Sequence, residues 1–182
     1  HAESLYAWLA PFLKKTIEYN AKHEKHIRDT SLKNHVVLVG AHRVGHNILR
    51  ALEDLHKTFM VVDFNPDVVL HLERRGIHAL YGDIADPDIQ DAAGFDTARA
   101  VISTVPAFNE SAHLLSRLKK SNPRAKVILT ASTEFDAVAL YERGADYVIL
   151  PHFAGGLQLG RLLEEDKTLR TLAKLREQDL AI

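Results

Sequence analysis

The chain of 182 residues has no cysteine, one methionine, one tryptophan and no surplus of either charge. Without cysteine there can be no disulfide framework, zinc-thiolate site, iron–sulfur cluster or thiol nucleophile. Lysine and arginine total 23 and acidic residues 24, a net charge of −1. That balance argues against a broad nucleic-acid footprint, which needs clustered cations, so nucleic acid is not an expected partner. No run approaches the roughly 18 apolar residues of a membrane-spanning helix. The uncharged stretch Ala100 to Asn109 is broken by Ser, Thr, Pro and Asn. The sole methionine is Met60 and the chain starts at His1, which suggests a piece of a longer protein. Histidine, in contrast, is plentiful, with 11 residues; most are expected to be scattered over the surface.

Three regions are expected. In residues 1–34, Leu5, Trp8, Leu9, Phe12 and Leu13 form an apolar helical stripe containing Pro11. A polar, basic stretch from Asn20 to Arg28 follows. The stripe suits either packing on the main domain or a place near a membrane surface. In residues 35–151, strands are predicted at His35–Val39, Phe59–Asp63, His78–Tyr81, Arg99–Ser103, Lys126–Thr130 and Tyr147–Leu150. Their nearly continuous Val and Ile runs suit parallel strands buried on both faces. Helical spacing separates them, with Asn65-Pro66 as a cap followed by proline in the first turn. The alternation predicts an α/β fold, a Rossmann-like doubly wound sheet of about six strands. Residues 152–182 form a C-terminal extension, predicted helical over Gly160–Ile182, with Leu162, Leu163, Leu169, Leu172 and Leu175 available to pack.

The segment richest in chemistry is Gly40-Ala41-His42-Arg43-Val44-Gly45. It ends the first strand and opens the first helix, where G-x-G-x-x-G presents backbone N–H groups and a helix dipole to phosphate. Gly40 allows the turn and Gly45 the close helix approach. His42 replaces the middle glycine, whose lack of a side chain lets the backbone touch a pyrophosphate. Asp63 lies 23 residues after Gly40, at the end of the second strand. This is the expected place for a carboxylate that binds ribose and repels a 2′-phosphate, so NADP is disfavoured.

Val36 to Gly45, Val62-Asp-Phe-Asn-Pro66, Tyr81-Gly-Asp83, Ala98 to Thr104 and Gly144 to Pro151 together resemble the TrkA-N type nucleotide-binding domain, the N-terminal lobe of RCK domains. The blend is most similar to cytosolic domains of Kef-type monovalent cation:proton antiporters. The resemblance implies phosphate contacts from Gly40, His42, Arg43, Val44 and Gly45. It places Asp63 on the ribose, Phe64 and Asn65 beside the adenosine, and Gly82, Asp83 and Ile84 at the adenine edge. Thr104, Val105 and Pro106 would border the cleft. The implied ligand is an adenine nucleotide, AMP or NAD(H). The implied role is gating of K+ or Na+ transport at the cytoplasmic face of the cell membrane. The partners would be the membrane part of its own transporter and a second copy in a homodimer.

Other functions are less well supported. A dehydrogenase of the short-chain kind needs Tyr-x-x-x-Lys, whereas Tyr141 is followed four residues on by Ala145. No nucleophile elbow is present, so no catalytic residue is assigned and no enzyme activity is expected. His42 with His46 offers too few ligands for a metal, and Asp83, Asp86 and Asp88 lack a calcium-loop pattern; they suit helix capping instead. The alternatives are a structural dimerisation module with a vestigial site and a small NAD-dependent oxidoreductase.

Overall fold

A computed structural model describes residues 32–166, 172 and 175–177. The amphipathic stripe and basic stretch read in residues 1–31 lie outside the described residues, as does Leu169. Strands β1 (Val36–Val39), β2 (Phe59–Asp63), β3 (Ala79–Tyr81), β4 (Ala100–Ser103), β5 (Lys126–Thr130) and β6 (Tyr147–Ile149) alternate with helices. These are α1 (Val44–Asp54), α2 (Pro66–Arg74), α3 (Pro87–Ala92), α4 (Phe108–Ser121), α5 (Glu134–Glu142) and α6 (Pro151–Glu165). A single 3-10 turn, Phe95–Thr97, precedes β4.

All six strands are parallel, in the order β3-β2-β1-β4-β5-β6. This is the doubly wound α/β arrangement predicted, and each predicted strand lies within one residue of the observed one. Period-two alternation divides the core. Val36 and Leu38 point to one face with Leu49 and Leu52 of α1 and Leu72 of α2. Val37 and Val39 point to the other with Leu114, Leu115 and Leu118 of α4 and Leu140 of α5. Leu115, Leu118 and Leu140 are fully buried, each contributing about 1.5–3 kcal/mol over an exposed side chain.

Asn65 and Asp86 cap α2 and α3 by accepting the N–H of Asp67 and Asp88, and each is followed by a first-turn proline. Two expectations change. The C-terminal helix starts at Pro151, nine residues before Gly160. Pro151 supplies a favoured first-turn residue, while Gly155 and Gly156 hide the helix in the sequence. Nor does α6 bury any residue, so Leu162 and Leu163 are not core. Among the described histidines, His35 is the one that is buried. Its Nε2 lies 2.8 Å from the Ala93 carbonyl and so carries the proton.

Candidate functional site

The strand order reverses between β1 and β4. The helices leave opposite faces there, and a crevice opens at the carboxyl edge. The loop after β1 sits at this switch point, and its geometry follows from its sequence. Gly40 has φ +80°, in the left-handed region open to glycine. A Cβ there would come within 2.5 Å of Thr104 Oγ1. Gly45 packs against the turn itself: a Cβ on it would lie 2.8 Å from the Gly40 carbonyl carbon and closer still to its oxygen. Both end glycines are therefore required by contacts as well as by motif.

Neighbouring strands hold the loop. Gly40 N–H donates to the Val62 carbonyl at 2.8 Å. Thr104 Oγ1 stands 3.1 Å from the carbonyls of Val39 and Gly40, bridging β4 to the turn. Asp63 is 5% exposed. Its Oδ2 accepts the Ala41 N–H and its Oδ1 the Asn65 N–H, both at 2.9 Å. The carboxylate thus fastens the phosphate loop to the start of the next loop. A ribose would meet it only beside these two amides. Sequence reasoning saw the acid at the strand end but missed Ala41, whose part is played by a backbone amide that no side-chain pattern signals.

Helix α1 begins without a side-chain cap. Arg43 occupies the cap position at φ 45°, ψ −104°, with no side-chain capping bond, and the first turn contains no acid. Gly45 N–H turns back to His42 O and His46 N–H to Arg43 O. His42 and Arg43 are exposed, Val44 is half-buried, and the helix dipole points at the space above them. A non-glycine residue at positive φ stores strain of order 1–3 kcal/mol, which persists where surrounding contacts over-determine it.

The remaining candidate residues come from the ends of adjoining strands. Phe64, 75% exposed, and Asn65 follow β2. Asn65 spends its side-chain oxygen on the α2 cap. Gly82, after β3, donates its N–H to the Asp63 carbonyl and packs against Ile89. Asp83 is exposed and accepts the Ala85 N–H at 2.8 Å. Ile84 has its side chain buried in the core, and its carbonyl accepts from Gln90. Val105 is half-buried, and its N–H lies 3.4 Å from Ser103 Oγ; Pro106 is exposed beside Ser132. Four adjacent strand ends, in the order β3-β2-β1-β4, thus bring these residues to one edge of the sheet. It offers backbone donors at its centre, an exposed aromatic ring to one side and an exposed cation, Arg43, at the rim.

The TrkA-N domain family profile matches residues 36–151. YbaL of Escherichia coli strain K12, whose name assigns it to the cation/proton antiporters, is 28% identical over 153 residues. The match takes in 80% of this chain but 27% of YbaL. The crystal structure of the TrkA-N domain of the inner membrane protein YbaL superposes with a TM-score of 0.70 at 26% identity. That match covers 74% of this chain and 99% of the domain. The C-terminal domain of Shewanella denitrificans Kef, solved with AMP, gives 0.64 at 21% identity over 81% and 89%. The GsuK channel bound to NAD gives 0.58 at 22% over 79% and 27%.

Proposed function

The chain belongs to the TrkA-N domain family, and from that premise we propose that it is the nucleotide-sensing domain of a membrane cation transporter or channel. The transporter is a K+ or Na+:proton antiporter or a potassium transport system, and the domain lies at its cytoplasmic face. An adenine nucleotide binds across the carboxyl edge and shifts the membrane part between states by preferring one of them. The domain itself is a sensor and not a catalyst.

The observation carrying this reading is the loop from Gly40 to Gly45, locked from both sides by Asp63 and Thr104 over an uncapped helix N-terminus. Preorganised donors at a helix start suit an anionic group. Phosphate settles on the amides after Ala41 and on Arg43. Phe64 covers the adenosine from the β2 side. The Asp63 carboxylate, already buried, disfavours the extra phosphate of NADP. His42 crowds the place where a second phosphate passes, which sets AMP level with NAD(H). AMP in the Kef domain and NAD in GsuK make both sensible trials.

A second copy is the proposed partner. Phe135, Val138 and Tyr141 of α5 and Phe153, Leu157, Leu159 and Leu163 of α6 are all exposed. Exposed apolar side chains on both helices suit a homodimer. Sedimentation of the chain as a monomer at high concentration would remove this part of the proposal.

Thermal unfolding with AMP, ADP, ATP, NAD+ and NADH tests the main reading. A ligand at about 100 times its Kd stabilises by roughly 2.7 kcal/mol. Absence of a shift with all five would overturn the sensor. Repeating the series on His42→Gly is expected to favour NAD(H) selectively; an unchanged ranking would show that His42 does not discriminate.

A further inference from the structure

A second concavity lies along α4, beside the C-terminal end of α5 and apart from the nucleotide crevice. Its volume is about 370 Å³, and Ala112, Ser116, Lys119, Lys120 and Arg143 line it. Ala112, Ser116 and Lys120 follow one another at i, i+4 and i+8, so they share one stripe of the helix. Small residues in the middle of the stripe make the recess. Three cations surround it and no acidic residue lines it. In a chain of net charge −1, such a concentration is local and does not reflect a generally basic surface.

Of the three cations, only Lys119 has an ion pair among the described residues, with Asp146. The nearest acidic partner, Asp146, is held by Lys126 at 2.6 Å and by the Val127 N–H at 2.9 Å, with Lys119 at 3.3 Å. Lys119 is therefore the more distant of two cations sharing one carboxylate. Arg143 is positioned by neutral groups: its Nη1 donates to the Ala139 carbonyl at 2.9 Å and its guanidinium lies 5.1 Å from the Phe108 ring centroid. The ring and the carbonyl fix the fork, and its other N–H groups have no acceptor recorded among the described residues. Lys120 is exposed and forms no ion pair among the described residues. The helix dipole accounts for cations at the end of α4. Arg143 likewise closes α5, but its guanidinium reaches across to the Phe108 ring of α4.

We propose that this cleft is a binding site for a small multivalent oxyanion, a phosphate ester or a polycarboxylate, distinct from the nucleotide site. Arg143 offers a planar fork to two oxygens, Lys119 and Lys120 add point charges, and Ser116 adds a neutral hydroxyl. Charge-assisted bonds of this type are the stronger class, and the volume falls within the usual range of about 300–1,000 Å³ for ligand sites. A regulatory domain with two such sites would integrate nucleotide with a second anionic metabolite.

The test is amide-resolved NMR of the whole 182-residue chain, titrated separately with pyrophosphate and with citrate. Saturable shifts at Ser116, Lys119, Lys120 and Arg143 are the expected result. Pyrophosphate alone would assign phosphate, citrate alone a polycarboxylate, and both a general oxyanion site. The double variant Lys120→Gln, Arg143→Gln alters two exposed side chains, so its melting temperature should stay within a few degrees of the parent. Its affinity at the remote amides should fall at least about tenfold. Shifts confined to Gly40–Gly45, no shift with either probe, or undiminished affinity in the double variant would each overturn the proposal. AMP, titrated in the same way, should move the Gly40–Gly45 amides in parent and variant alike; failure there would count against the nucleotide reading and leave this one standing.

Discussion

Two strand-to-helix junctions on the same edge of the sheet are built in opposite ways. Between β1 and α1, the turn is bonded to β2 through Val62 and Asp63 and to β4 through Thr104. Between β6 and α6, the helix starts at Pro151 without a side-chain cap, and none of its residues is buried. Both junctions contain glycines, but only the first needs them. Gly45 has the Gly40 carbonyl against it, whereas Gly155 and Gly156 have nothing within 4 Å of a would-be Cβ. The difference comes from place in the sheet. β1 has neighbours on both sides, and β6 is an edge strand. A central junction can be fixed from two directions and so hold a strained, donor-presenting loop. An edge junction leaves its helix free to use its apolar side chains on another surface.

The sharpest break in this contrast is one substitution made at both places. Gly45→Ala is expected to destabilise the domain by about 3 kcal/mol, the upper end for overpacking, and to abolish nucleotide binding. Gly155→Ala, in an open helix interior, should stabilise by about 0.5–1 kcal/mol. Urea denaturation of the two variants gives both numbers, and equal signs would refute the contrast. Between these effects in size falls Asp63→Asn. The amide can accept one of the two backbone N–H groups but turns its NH2 toward the other. A buried donor left unpaired costs about 1–3 kcal/mol, so a loss near 2 kcal/mol is expected, together with weaker binding of every adenine nucleotide by calorimetry. Full stability in this variant would mean that Asp63 does not anchor the loop.

What the sequence disclosed follows the same division. Strand hydrophobicity, Asn65-Pro66 and the Gly40-to-Gly45 spacing are local patterns, and each predicted its element to within a residue or two. The second role of Asp63 was hidden, because holding Ala41 depends on a strand pairing and a backbone donor. The burial of Ile84 was hidden for a related reason: the core cluster it joins is gathered from distant parts of the chain and is not written in its own neighbourhood. His35 looked like any strand-opening polar residue, and its buried bond to Ala93 spans 58 positions. Helix α6 escaped early detection since Gly155-Gly156 interrupts its periodicity. Its exposure could not be read from leucines that elsewhere mark a core.

β6 is not loosely held as a whole; its anchor lies at the other end. Asp146, just before the strand, donates its N–H to Val127 O and accepts from Val127 N–H and Lys126, with Lys119 beyond. Partial burial alone would raise the Asp146 pKa, but the bonds from Lys126, the Val127 amide and Lys119 outweigh it and lower the pKa from 3.8 to about 2. A carboxyl whose pKa is lower in the folded than in the unfolded chain stabilises the fold while it is ionised in both. That contribution is whole above pH 3.8 and disappears as the pH falls through about 2. Because Lys126 is largely exposed, its size at neutral pH should stay under about 1 kcal/mol. Asp146→Asn removes the ion pairs and keeps an oxygen for the Val127 N–H. Urea denaturation of parent and variant at matched pH should therefore show a gap at neutral pH that narrows through this acid window. Curves that fall in parallel would show that β6 is anchored by its backbone pairing and not by this carboxylate.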